Sequence, residues 1–450
     1  MIFALEQKPA DAPALVDAEA GSIVSYGELT ARVGEAAARL RRDGRRLVFL
    51  LASNTVPSII AYLACMEAGL PVCLIEAGPH GVAARLLETY QPELILEGRV
   101  PASLDNTTRK TSGPLHPDLA LLLTTSGSTG NPKLVRLTKA NVEANAASIS
   151  GYLQIHPAEC AMQSLPAHYS YGLSVLNSHL LSGAQVVLTS HSFLKAEFWT
   201  AFRGLGCTSF AGVPFMYETL SRLRFRPAKY PSLKTMTQAG GKLKEELVEE
   251  FRGKCETAGA RFVVMYGQTE ATARISWVPP DRLQEKTGSV GIAIPGGRLE
   301  LCPVPESPEL EELVYAGPNV MMGYAESRDS LAEGDRTGGR LRTGDLGRQD
   351  ADGFFYITGR LKRFAKLFGS RVSLDDVEQQ AEAFWPVRAA AVDRDGTLFL
   401  FIVPRGTTDA AAVKSGMAAW LAVPPAAVQV VVLEELPLTS SGKKDYQKLP

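Results

Sequence analysis

Between residues 46 and 266 the chain alternates short apolar runs with stretches of helical periodicity, and few folds accept such a pattern. Residues 46–53 read as a buried strand, after which Val56, Ile59, Ile60 and Leu63 recur at helical spacing. Residues 70–75 predict a second strand, 82–90 a helix and 93–96 a third strand. A polar, proline-bearing connector, 105–117, leads to a strand at 119–123, and a helical pattern begins at Lys139. Helices then follow at 172–181, 196–203, 215–223 and 243–258, with strands at 185–188, 208–211 and 261–265 among them. Successive parallel strands need a crossover, usually a helix, so the pattern implies an α/β protein with helices on the faces of a parallel sheet.

Four hundred and fifty residues exceed one ordinary domain. After Pro279, glycines, prolines and short alternating runs predict a small β-rich subdomain over about 280–359. Residues 360–450 read as a separate small α/β unit with strands at 354–358 leading in and at 387–393, 398–403 and 428–433. Its first helix carries Leu374, Val377, Ala381 and Phe384 on one face and is entered through Ser373, with Asp376 three residues on. The expectation is a large N-terminal domain of layered α/β sheets, 1–359, and a C-terminal domain, 360–450, joined at a short basic hinge, 359–363.

Composition narrows the function. Forty-seven bases against 48 acids give a net charge of −1, without the basic stripe of a nucleic-acid binder. The most apolar window, 56–75, carries Glu67, Gly69 and Pro71, so it reads as a helix plus a strand and not as a membrane span. The first residues lack a cationic region followed by an apolar core, which predicts no signal peptide. Six cysteines without a CxxC spacing fit a reducing cytoplasm, with neither a disulfide framework nor zinc.

The chemistry is concentrated in TTSGSTGNPK, 124–133. Glycine permits close backbone approach, so successive N–H groups can point into one concavity, with hydroxyls and Lys133 adding donors. That composition suits a phosphate cradle, although alone it also describes a flexible linker. Two further loops, 239–241 and 266–270, follow predicted strands, and ligands bind beyond the carboxyl ends of strands in open α/β sheets. All three loops are expected at one sheet edge.

Taken with YGQTE (266–270), RTGDLG (342–347), TGRLKR (358–363) and SGKKD (441–445), the loop resembles the adenylate-forming superfamily of acyl-CoA synthetases, non-ribosomal-peptide adenylation domains and firefly luciferase. VSYGEL (24–29), MEAGLPVCLI (66–75), GSVGIAIPGG (288–297) and ITGRLKRFAKLFGSRV (357–372) resemble further motifs of that family in the same order. The resemblance covers nearly the whole chain. It implies that a carboxylic acid and ATP give an acyl adenylate and pyrophosphate, after which the acyl group passes to a nucleophile. Such a reaction brings two anions together and needs preorganised donors, cations and in-line positioning.

By that resemblance, Thr125, Ser126, Gly127, Ser128, Thr129, Gly130 and Lys133 hold the β- and γ-phosphates. Tyr266 stacks on adenine, Gly267 and Gln268 belong to the same ATP-binding segment, and Thr269 contacts the α-phosphate. Glu270 is the Mg²⁺ carboxylate, a hard oxygen ligand for a hard cation. Gly240 and Gly241 form a backbone wall against adenine, Asp345 accepts the ribose hydroxyls and Arg360 contacts the nucleotide. Lys443 bridges carboxylate, ribose and α-phosphate, and Lys362 is the hinge candidate where many relatives have an acid. Lys444 stands where relatives usually have an apolar residue.

The acid-binding segment is LPAHYSYGLSV, 165–175, which supplies His168, Tyr169, Ser170 and Gly172. Amino-acid-activating relatives place an aspartate at the position of Ser170, and residues 161–185 contain no acid. A buried ammonium would have no partner there, which favours a small acyl, hydroxy or aryl acid. The expected acceptor is a thiol, on coenzyme A or on the phosphopantetheine of an acyl carrier protein. An amine acceptor, an amino-acid substrate and a non-catalytic adenylate binder are the alternatives. Glu270, Asp345 and Lys443, all present, speak against the last.

Overall fold

The α/β alternation folds into two sheets, in keeping with the expected layered α/β domain. The computed structural model describes residues 1–41, 44–76, 81–101, 113–124, 133–305, 307–361, 363–367, 370–394, 397–439 and 444–450. These form two compact units, Met1–Leu299 with Tyr315–Leu341, and Glu300–Val314 with Arg342–Pro450.

In the first unit a six-stranded sheet runs Gly323–Ala325, Leu134–Thr138, Leu119–Thr124, Val72–Glu76, Val48–Ala52, Leu94–Leu96. The last four strands are parallel, and their buried apolar runs are what the sequence reveals most plainly. Leu134–Thr138 was not foreseen. It pairs antiparallel with Leu119–Thr124, with Thr124 opposite Leu134. The signal was hidden because Arg136 interrupts the apolar run. That guanidinium is fully buried and donates to the carbonyls of Met322 and Gly334, 3.3 and 3.2 Å away. Helices Tyr26–Arg41 and Val56–Ala68 pack together beside these strands, the second ending at Gly69 in the left-handed conformation, φ +69°.

A nine-stranded sheet has the order Ile292–Ala293, Ser276–Trp277, Arg261–Tyr266, Thr235–Gln238, Ser209–Gly212, Cys160–Met162, Gln185–Leu188, Pro13–Asp17, Ser22–Ser25. It is parallel from Arg261–Tyr266 to Pro13–Asp17 and antiparallel at both ends. The expectation of three loops on one sheet edge is therefore corrected. The strands that flank segment 125–133 belong to the six-stranded sheet, whereas 239–241 and 266–270 leave the nine-stranded one. Helix Ser170–Leu181 packs against helix Lys139–Leu153, whose cap is reciprocal: Thr138 Oγ1 accepts from Asn141 N at 3.0 Å, and Asn141 Oδ1 from Thr138 N at 2.8 Å.

The second unit holds most of a four-stranded sheet ordered Arg298–Val304, Ser307–Ala316, Arg340–Gln349, Phe355–Arg360. It continues with the hairpin Phe364–Leu367 and Ser370–Ser373, then the sheet Val387–Arg394, Thr397–Pro404, Val428–Val432 with helices Leu374–Phe384 and Ala410–Trp420. Ser373 Oγ caps Asp376 N at 3.2 Å, and Leu374, Val377 and Ala381 are buried as their spacing predicts. Phe384, on the last turn, is 56% exposed, with its ring against Trp385. Among the described residues no helix is long and apolar enough to cross a membrane.

Candidate active site

Strand Arg261–Tyr266 ends in a turn that only one residue type could enter. A Cβ at Gly267 would lie 1.9 Å from Ala273 O, so the chain doubles back closely enough to exclude any side chain. The next turn, Thr269–Ala271, leads to Thr272 at φ +63°, ψ −58°, a conformation non-glycine residues rarely adopt. Asn319 holds it there. Its Nδ2 donates to Ala271 O and Arg274 O, both at 2.8 Å, its carbonyl accepts from Thr272 Oγ1 at 2.8 Å, and its Oδ1 accepts from Tyr315 Oη at 2.8 Å. Tyr266 is buried at the strand end, and Gln268 Nε2 donates to its hydroxyl at 3.1 Å.

Glu270 projects from this turn and accepts a 2.6 Å hydrogen bond from Tyr324 Oη on the edge strand Gly323–Ala325 of the six-stranded sheet. Burial, and then the adjacent Glu270 charge, push the Tyr324 phenol up, so it stays a donor at neutral pH. The ammonium of Lys133 lies 5.6 Å from the Tyr324 ring centroid and is ion-paired with Glu326. Lys133, Tyr324 and Glu270 thereby join the ends of two loops that come from different sheets. Glu270 Oε2 has no partner among the described residues, as suits a carboxylate that shares a divalent ion with phosphate oxygens.

The acid-binding segment lies against the same turn. Ser170 Oγ is 3.2 Å from Thr269 Oγ1, which brings the first residue of helix Ser170–Leu181 to the residue assigned to the α-phosphate. Gly172 O accepts from Gln163 Nε2 at 2.9 Å, fixing the first turn of that helix. Tyr169 faces the third loop: Gly240 has φ +87°, and a Cβ there would sit 2.7 Å from Tyr169 Oη. Gly241 O accepts from Gln238 Nε2 at 2.8 Å. Burial lowers the pKa of His168, against the opposing pull of Glu76, and so favours a neutral imidazole.

In the second unit Asp345 and Arg360 are partners across the strands Arg340–Gln349 and Phe355–Arg360. A different cluster anchors the C-terminal tail. Glu378 accepts from Lys444 Nζ at 2.6 Å and Tyr446 Oη at 3.2 Å, from Ala391 N at 2.8 Å and from Arg363 Nη2. Arg363 also bonds Asp375 at 2.8 Å and stacks 4.0 Å over Tyr446. Lys444 Nζ donates further to Ala389 O at 2.5 Å. Thr125, Ser126, Gly127, Ser128, Thr129, Gly130, Lys362 and Lys443 lie outside the described residues.

Three residues that sequence reasoning passed over belong to this region: Asn319, Tyr324 and Arg274. The first two lie in GPNVMMGY, 317–324, whose Gly-Pro-Asn turn was a visible signal. Arg274 stood only as a cation between Ala273 and Ile275, in an otherwise apolar context.

Comparison with known proteins places this arrangement. Feruloyl-CoA synthase of an Amycolatopsis species is 29% identical over 409 residues, which span 83% of this chain and 80% of the relative. Sulfoacetate–CoA ligase of Cupriavidus necator is 32% identical over 274 residues, 59% of this chain and 52% of that protein. In fold, the chain resembles o-succinylbenzoate coenzyme A synthetase of Bacillus subtilis, solved with ATP and a magnesium ion. Their TM-score is 0.81 at 23% identity, covering 100% of this chain and 98% of the other. A sequence profile described as AMP-binding enzyme matches residues 3–96 and 85–325, well over half of the chain, and the chain belongs to that family.

Proposed function

We propose that the protein is an AMP-forming acid–thiol ligase that converts a small carboxylic acid other than an α-amino acid into its adenylate and passes the acyl group to coenzyme A. The observation that carries this reading is the 3.2 Å approach of Ser170 to Thr269, which joins the acid-binding helix to the turn of Glu270. An acid whose carboxylate meets the two hydroxyls is thereby aligned with a phosphate held at the same turn.

In the first step a carboxylate oxygen attacks the α-phosphorus, the bond to the β-phosphate oxygen breaks, and pyrophosphate leaves. Thr269 donates to a non-bridging oxygen of the α-phosphate, while Lys133 and segment 125–130 hold the departing end. Glu270, oriented by Tyr324, fits a magnesium ion. When bound, that ion offsets the repulsion among the phosphate oxygens. Gly240 and Gly241 flank adenine with Tyr266, and Asp345 and Arg360 serve the nucleotide from the second unit. Lys443 supplies the cation that bridges acid and phosphate. Since Lys444 is tied to Glu378 and Ala389, it is unsuited to that task, which supports the assignment to Lys443. In the second step the thiol sulfur bonds to the acyl carbon, AMP departs and the thiol proton is lost to solvent.

The named CoA ligases among the relatives support coenzyme A as acceptor. Carrier-bound phosphopantetheine presents the same thiol. Residues 360–450 are proposed as the lid domain that carries Lys443, turning about Lys362 between the two steps. Thiols left free at all six cysteines suit the reducing cytoplasm. The test is acid-dependent exchange of labelled pyrophosphate into ATP over a panel of acyl, hydroxy, aryl and amino acids, followed by mass detection of the thioester. Silence across the panel refutes the ligase reading, and activity with glycine or alanine equal to the best acid refutes the exclusion of amino acids.

A further inference from the structure

Arg274 is buried, 3% exposed, yet it has no carboxylate partner among the described residues. Its guanidinium stacks 4.0 Å over the Tyr171 ring, donates from Nη1 to Ala273 O at 3.2 Å and lies within hydrogen-bonding reach of the Tyr152 and Tyr171 hydroxyls, all of them neutral groups. Two other buried arginines of the unit are neutralised. Arg328 pairs with Glu93 at 2.6 Å, and Arg136 has three carbonyls and Glu333. Removing a cation from water without a counter-charge is strongly unfavourable, so a buried guanidinium whose described partners are all neutral points to a ligand anion.

The surroundings say where that anion would come from. Helix Ser170–Leu181 turns Tyr171, Ser174 and Ser178 toward the nine-stranded sheet, and Thr235 and Thr237 face them from alternate positions of one strand. Between them, with Arg274 in the wall, lies a cavity of ≈ 30 Å³. Tyr171 is the neighbour of Ser170, so the cavity begins beside the place assigned to the reacting carboxylate. Glu159 also lines it, but that carboxylate is already occupied: Lys234 lies 3.5 Å away, His156 3.2 Å, and Thr208 donates to it. Its small volume suits a short terminus better than a long alkyl chain, and Arg274 is the cation in a wall where hydroxyls alternate with apolar side chains such as Ile149, Leu153 and Met265.

We propose that Arg274 binds a second acidic group at the far end of the acid, making the preferred substrate a short carboxylic acid that bears a distal oxyanion, either carboxylate or sulfonate. The inference rests on the ligase reading above and names its substrate class. Arg274 then selects the substrate, while Asn319, by holding Arg274 O and Ala271 O together, fixes the distance between the selecting group and the reacting end.

The test is pyrophosphate exchange with matched sets of short acids that differ only at the far end: carboxylate, sulfonate, carboxamide and methyl. The wild type is expected to prefer the anionic members in kcat/KM by on the order of 10²-fold, and the ratio of carboxylate to sulfonate tells the two sources apart. Arg274→Gln is expected to abolish that preference by raising KM for the anionic acids while leaving the methyl and carboxamide acids within about threefold, and Arg274→Lys to restore part of it. A wild-type preference for neutral acids overturns the proposal, as does an undiminished anionic preference in Arg274→Gln. Loss of activity toward every acid in both variants, with wild type active, overturns it in favour of a purely structural role under Tyr171. Wild-type silence with every acid overturns the ligase reading itself, so the two failures are distinguishable.

Discussion

Asp345 and Arg360 face each other across an antiparallel strand pair, with Arg360 Nε 2.7 Å from Asp345 Oδ1. The carboxylate is 1% exposed and the guanidinium 57%, so the pair is a buried anion capped by a surface cation. Two residues assigned to the nucleotide thus neutralise each other within one unit. Asp345→Asn removes acceptor capacity for two ribose hydroxyls and is expected to weaken AMP binding by about 10- to 100-fold in a calorimetric titration. Unchanged affinity would remove Asp345 from the nucleotide site.

Adjacent lysines in the tail are expected to fail differently. Lys443→Ala should lower pyrophosphate exchange by on the order of 10²- to 10³-fold while ATP still binds. Lys444→Ala should leave exchange nearly intact and destabilise the protein by about 1–3 kcal/mol in urea unfolding, because Glu378 loses a charged partner. The reversed pattern would move the catalytic assignment by one residue.

Tyr324→Phe deletes the 2.6 Å hydrogen bond that orients Glu270 and leaves the ring under Lys133 in place. The expected result is a magnesium titration shifted several-fold to higher concentration, with kcat recovered at saturating metal. A fall in kcat that magnesium does not rescue would show that the hydroxyl acts elsewhere.

Stability is expected to fall in mild acid through His179. Burial lowers its pKa from the ordinary 6.5 to about 4, and its Nδ1–H donates to Val175 O at 2.8 Å. Between those values the unfolded chain binds a proton that the folded protein refuses. The contribution is therefore complete above pH 6.5 and is lost as pH falls toward 4. Going from pH 7 to pH 5 should remove about 2 kcal/mol, measured by urea unfolding, and His179→Asn should flatten that dependence. An equal pH slope in the variant would assign the acid sensitivity to other groups.

Legibility in the sequence followed the range of the interactions. Parallel strands such as Val72–Glu76 are buried on both faces and announce themselves as apolar runs, and helices beside them keep their period. Cys160–Met162 is too short to carry a pattern, and Leu134–Thr138 hides behind Arg136, whose partners lie far along the chain. Which strands share a sheet is decided by such distant contacts, which is why three loops from two sheets read as sharing one edge. The site divides in the same way. Tyr266 to Glu270 form a contiguous motif, whereas Tyr324 reaches Glu270 across 54 residues and Asn319 reaches Arg274 across 45. Arg274 looked ordinary because its surroundings, Tyr171 above all, are brought to it from about a hundred residues away.

Glu378 gathers Arg363, beside the basic segment that follows Arg360, and Lys444 and Tyr446, beside Lys443, onto one carboxylate. Lys444 and Tyr446 are thereby fixed to the body of their unit, so a large displacement of either belongs to the microsecond-to-millisecond scale of collective motion. On the proposal that this unit turns between the two steps, turnover is timed by that slower clock, and viscosity, which retards large bodies, slows the enzyme before any change in its chemistry does.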